Sequence, residues 1–158
     1  MAIVLRTVSI NAAFLQEIKD DHHELRQLMH HISAMLERPD WMPIEFDRLT
    51  DLFEKLRDQL AMHFSLEEAY GYFEDALAVA PRLSRRADQL RSQHGELYSQ
   101  LCAMTDRAEQ LLYHETTVAA VGQLAADYLA FCQAFHEHER RENDLILEAI
   151  DEDLGGGD

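Results

Sequence analysis

The stretch Leu56-Arg57-Asp58-Gln59-Leu60-Ala61-Met62-His63-Phe64-Ser65-Leu66-Glu67 spaces its apolar residues as one face of a helix, then fills that face with His63 and Glu67. An imidazole and a carboxylate thus stand one turn apart where an apolar side chain is expected. Upstream the stripe runs through Phe46, Leu49 and Phe53; downstream it reaches Tyr70 and ends near Gly71. Three further stripes have the same period. The first is Leu15, Ile18, His22, Leu25, Met29, Ile32 and Leu36. The third is Leu83, Ala87, Leu90, His94, Leu97, Leu101, Met104, Ala108 and Leu111. The fourth, Val121, Leu124, Tyr128, Phe131, Phe135, His138, Glu142, Leu145 and Ala149, repeats the His-x-x-x-Glu step. Each stripe holds one histidine, and the four segments form two related pairs.

Helices of this length joined by short connections favour antiparallel neighbours, so the expected fold is an all-α, up-down-up-down four-helix bundle. Three Pro and six Gly in 158 residues leave the body of the chain with little turn punctuation. Asn11 is placed to cap the first helix, Pro39 and Pro43 flank its stop, and Thr116 or Thr117 caps the last. The expected organisation is an extended lead-in over 1–11, one bundle domain over 12–150 and a flexible acidic, Gly-rich tail over 151–158. A 47% hydrophobic content supports one core. With 14 Lys and Arg against 30 Asp and Glu, the net charge of −16 argues against nucleic-acid and anionic-membrane partners. Cys102 and Cys132 form no Cys-x-x-Cys, and no leader or anchor is visible, so a reducing cytoplasm is the expected location.

The helical arms from each turn to its histidine differ by only about 5–6 Å at 1.5 Å per residue, so His22, His63, His94 and His138 can share one layer. Four imidazoles with Glu67 and Glu142 suit iron, with manganese or zinc as contenders. Buried glutamates need a counter-charge, which a metal cation supplies. Competing signatures fail: no histidine follows a glutamate in Glu-x-x-His, neither His114-Glu115 nor His136-Glu137 completes His-Glu-x-x-His, and there is no Cys-x-x-Cys-His.

Asp21-His22-His23-Glu24-Leu25, His63-Phe64-Ser65-Leu66-Glu67-Glu68, His94-Gly95-Glu96-Leu97 and His138-Glu139-Arg140-Arg141-Glu142 together resemble the hemerythrin-like family with the HHE cation-binding domain, over about residues 12–150. The resemblance implies a non-haem centre of two iron ions with an oxo, hydroxo or water bridge. It implies His22, His63, His94 and His138 as terminal ligands and Glu67 and Glu142 as bridges. The chain departs from oxygen-carrying members of the family: Tyr98 stands where their third helix has a fifth histidine, and Asn143 where their fourth has an aspartate. The six side chains would leave about four of about twelve coordination positions open. The resemblance therefore implies binding of, or reaction with, dioxygen, peroxide or nitric oxide rather than simple oxygen carriage. An iron- or redox-responsive sensor without turnover is the alternative.

Around this set, Tyr98 is expected on the inward face as an extra ligand or a hydrogen-bonding neighbour of the centre, with an ordinary core tyrosine as the plain reading. Glu24, Glu68 and Glu139 flank ligands; they read as solvated, with orientation of the imidazoles as the alternative. His23, His30, His31 and His136 read as surface residues and His114 as a loop residue. Cys102 and Cys132 read as unpaired boundary thiols, and Leu25, Met29, Leu60, Leu97 and Phe135 as the apolar shell.

Overall fold

The computed structural model describes residues 20–38, 43–69, 73–114 and 116–155. Helix α1 (20–36) is followed by α2 (Phe46–Ala69), a short α3 (Glu74–Val79), a 3-10 turn (Pro81–Leu83), α4 (Ser84–Tyr113) and α5 (Val118–Gly155). The described residues contain no strand. The lead-in, Asn11, Leu15, Ile18, Pro39, Tyr70, Gly71 and residues 156–158 lie outside the described residues.

Each stripe faces inward because its apolar residues have nowhere else to escape water. Leu25, Met29 and Ile32 of α1, Leu49, Phe53, Leu56 and Leu60 of α2, Leu97, Leu101 and Met104 of α4, and Leu124, Phe131 and Phe135 of α5 form one continuous core. α2 packs on α4 and α4 on α5. The ring closes through α1, where the Tyr128 hydroxyl of α5 donates to the Met29 carbonyl at 2.6 Å. The result is the expected all-α four-helix bundle.

The two threonines of the α4–α5 turn divide the capping. Thr117 Oγ1 accepts from the Ala120 N–H at 3.1 Å and caps α5, while the Thr116 hydroxyl donates to the Leu111 carbonyl at 2.9 Å near the end of α4. Both satisfy backbone groups that a helix end leaves unpaired.

The connection before Pro81 carries the short helix α3 and packs on the bundle. Phe73, Ala80 and Leu83 pack with Ala87, Leu90, Leu145 and Ala149 into a second small core closing one end of the bundle, and Arg91 lies over the Phe73 ring at 5.7 Å. α5 runs past the expected end at residue 150 to Gly155, and there Glu152 pairs with Arg82 and Glu148 with both Arg82 and Arg86 at the start of α4. By length and apolarity Val118–Glu152 would suffice for a membrane span; in this fold its Leu124, Tyr128, Phe131 and Phe135 face the bundle core.

Candidate metal centre

His22 lies near the described start of α1, His63 near the end of α2, His94 near the start of α4 and His138 in the second half of α5. The helices alternate in direction, so these positions meet at one level near the end closed by α3. The tightest group is Glu67, His94, His138 and Glu142, whose ligating atoms all lie within 4.8 Å of one another. All four residues are buried.

Glu67 spans this group and the next. Its Oε1 is 2.9 Å from His63 Nε2 on its own helix, and its Oε2 is 3.2 Å from His94 Nε2 on α4. Glu142 instead faces one side: Oε1 is 3.1 Å from His138 Nε2 and Oε2 is 3.8 Å from His94 Nε2. His63 joins the set through Glu67. His22 stands at the rim, its side chain 24% exposed and its ring 5.5 Å from that of His63; the carboxylate it faces is Glu139, at 2.8 Å.

The outer nitrogens explain why the inner ones face each other. His63 Nδ1 is 2.5 Å from Asp21 Oδ2, whose other oxygen accepts from Gln59 at 2.6 Å. His138 Nδ1 meets Gln93 Oε1 at 2.8 Å, and His94 Nδ1 lies 3.4 Å from Glu68 Oε1. In the neutral ring an acceptor at Nδ1 places the proton there and leaves Nε2 as a lone pair aimed inward, the usual support of a metal-bound imidazole.

The inner atoms have no such partners. His63 Nε2, His94 Nε2, His138 Nε2, Glu67 Oε2, Glu139 Oε1 and Glu142 Oε2 are buried and make no hydrogen bond, although several lie at ion-pair distance from one another. Buried polar atoms are rarely left so. Buried nitrogen and carboxylate atoms that converge in this way fit a cation, and the donor set suits iron, manganese or zinc.

Charge supports the same conclusion. Burial works to lower the His63 pKa, but Asp21 and Glu67 override it and raise the value to about 10. For His94 burial is likewise overridden, by Glu142 and Glu67, to about 9. Burial pushes Glu67 up, yet His63 and His94 hold it down at about 2. The pocket keeps its glutamate anionic against positive charge, which is that of the two imidazoles or of a cation in place of their protons.

Tyr98 is corrected: it does not face the centre. It is 37% exposed, with Cys102, Arg57 and Asp58 as its electrostatic neighbours, and Leu97 takes the inward place. The buried arc of α4 lies on the Leu97 side of His94, whereas Tyr98 is about 40° to the other side. Glu139 is corrected in the opposite sense, since it is only 7% exposed. Glu24 is exposed, and Glu68 reaches His94 from a side chain 61% exposed. His23, His30, His31, His114 and His136 are exposed, and Cys102 and Cys132 are free, half-buried thiols. Leu25, Met29, Leu60, Leu97 and Phe135 are buried as expected.

Three further residues contribute to the centre. Asp21 and Gln93 orient imidazoles, and Phe64 stacks on His94 with ring centroids 4.0 Å apart. Asp21 and Phe64 carry a weak signal, each being adjacent in sequence to an inward histidine; Gln93 is likewise adjacent to His94 but serves His138.

The family model described as the hemerythrin HHE cation binding domain matches residues 13–150, and the chain belongs to this family. Comparisons with curated proteins and with solved structures give no match. Family and buried cluster together define a metal-binding domain.

Proposed function

We propose that this protein holds two iron ions and uses them to bind or react with a small oxidant: dioxygen, peroxide or nitric oxide. The observation that carries the reading is Glu67, whose two oxygens face imidazoles of different helices, as a carboxylate shared by two ions requires. His22 and His63 would hold one ion, His94, His138 and Glu142 the other. Iron bound there would supply Lewis acidity and a change of redox state. The chain's own residues supply the rest. Asp21 and Gln93 fix the imidazoles, while Phe64 and Phe135 wall the centre against bulk water.

Access for a small ligand is supported by a groove of about 210 Å³ between α4 and α5, where Gln93, Leu97, Ala134 and His138 form part of the lining. The outward turn of Tyr98 favours reaction over simple oxygen carriage, because no side chain from that position fills a coordination site. Iron analysis and the optical spectrum of aerobically purified protein, before and after peroxide or nitric oxide, test the proposal. About two irons per chain and a ligand-dependent spectrum are expected; iron-free protein with a featureless spectrum overturns it.

An iron-responsive module without turnover is the second reading, favoured by the burial of Glu67, Glu139 and Glu142 on α2 and α5. Metal loss would leave the charge of these buried carboxylates to be balanced by protonated imidazoles alone. A large metal-dependent change in melting temperature without peroxide or nitric oxide consumption would select this reading. Both readings place the protein in a reducing cytoplasm, which the two free thiols favour.

A further inference from the structure

Glu139 is a buried acid on α5 to which neither the six-residue ligand set nor the family resemblance gives a role. It follows His138 directly, so its side chain leaves α5 about 100° away, while Glu142 projects between the two at about 40°. His138 thus faces α4 and Glu139 faces α1. The packing agrees: Tyr128, about 20° from Glu139 around the helix, bonds to the α1 backbone at Met29.

The two oxygens of Glu139 have different surroundings. Oε2 looks to the rim, with Arg26 at 3.8 Å and His136 at 4.0 Å. Oε1 is buried, lies 2.8 Å from His22 Nε2 and makes no hydrogen bond. Glu142 at the other end of the centre likewise has one buried oxygen without a hydrogen bond, Oε2, and stands beside an imidazole, with Oε1 3.1 Å from His138 Nε2.

We propose that Glu139 is a metal ligand, a terminal carboxylate that holds with His22 and His63 the ion on the α1–α2 side. Each ion then has two imidazoles and one carboxylate of its own, Glu139 on one side and Glu142 on the other, with Glu67 shared between them. The proposal rests on the metal-centre reading above and adds a seventh protein ligand to it. It also explains why α5 carries two buried acids and α2 only one.

The test uses the full-length chain, loaded anaerobically with Fe²⁺ for stoichiometry and with Co²⁺ as an optical probe. Wild type is compared with Glu139→Gln, His22→Ala, their double variant, and Glu137→Gln as a control on the rim of α5. Wild type and Glu137→Gln are expected to hold two ions. Glu139→Gln should hold one tightly and lose at least about 100-fold in affinity for the second, the upper end of what losing an orienting partner costs. Because a ligand binds the ion independently of His22, Glu139→Gln should weaken that ion further in the His22→Ala background; a double variant no weaker than His22→Ala alone would make Glu139 a positioning partner of His22 and overturn the proposal.

Melting curves separate a ligand from a structural ion pair and show whether each variant folds. Glutamine removes a buried charge, so Glu139→Gln should melt higher than wild type after chelation and lower than wild type when loaded. A lower melt in both states overturns the proposal, as does two-ion binding by Glu139→Gln with affinity within about threefold of wild type. A wild-type chain that binds neither Fe²⁺ nor Co²⁺ overturns the metal reading itself. Two ions in wild type with an indifferent Glu139→Gln sinks the ligand assignment alone.

Discussion

Asp21 decides which nitrogen of His63 is available. Its carboxylate sits on Nδ1 and is itself held by Gln59, so Nε2 is left pointing at Glu67. Asp21→Asn keeps an acceptor at nearly the same place but removes its charge, making the imidazole a weaker donor to metal. A competition titration is expected to register an affinity loss of about 10- to 100-fold with little change in helix content. His63 and His94 make a second prediction, since their raised pKa values, about 10 and about 9, keep both protonated at pH 7 in chelator-treated protein. Their stabilisation of the metal-free fold is fully present below about 6.5 and is lost as pH rises through 9 to 10. Metal uptake at pH 7 should therefore release about two protons per chain. Calorimetric titrations in buffers of different ionisation enthalpy measure this, and uptake without proton release would mean that the imidazoles are already neutral.

The helices differ in what holds their ends. The start of α5 depends on Thr117, 21 residues before His138 and so about 30 Å from the centre along the helix. Thr117→Ala should lower unfolding free energy by about 1 kcal/mol in a denaturant titration and leave metal affinity unchanged. At the other end, Arg82 and Arg86 pair with Glu148 and Glu152 on exposed faces, where such pairs contribute little. Burial of Leu83 and Phe73 against Leu145 does more there. Leu83→Ala is expected to cost about 2–5 kcal/mol in the same titration. Because the end that it loosens lies beside the metal layer, it should also speed metal release to a chelator.

For the molecule as a whole, the centre joins all four long helices: α1 through His22 and Asp21, α2 through His63 and Glu67, α4 through His94 and α5 through His138, Glu139 and Glu142. In the proposed centre, removing a cation from among these carboxylates would withdraw a link between neighbouring helices. Chelation should lower the melting temperature, and the loaded protein should melt progressively higher with the logarithm of free metal concentration. Equal melts with and without chelator would show that the bundle stands on its apolar core alone.

The amino-acid order by itself determined the four stripes, the helical class, the antiparallel order and which side chains share a face within each helix. These follow from rotation of about 100° per residue, a property internal to one helix. His63 with Glu67, and His138 with Glu142, are legible for that reason. The four-residue interval from His94 points Tyr98 inward, but the buried arc of α4 centres on the Leu97 side and leaves Tyr98 outside it. Glu139, Asp21 and Gln93 depend on which neighbouring helix lies beside a given face, and at what height and rotation. Only tertiary packing sets those quantities. It buried Glu139 against α1, turned Asp21 onto a histidine of α2, and placed Gln93 of α4 under His138 of α5.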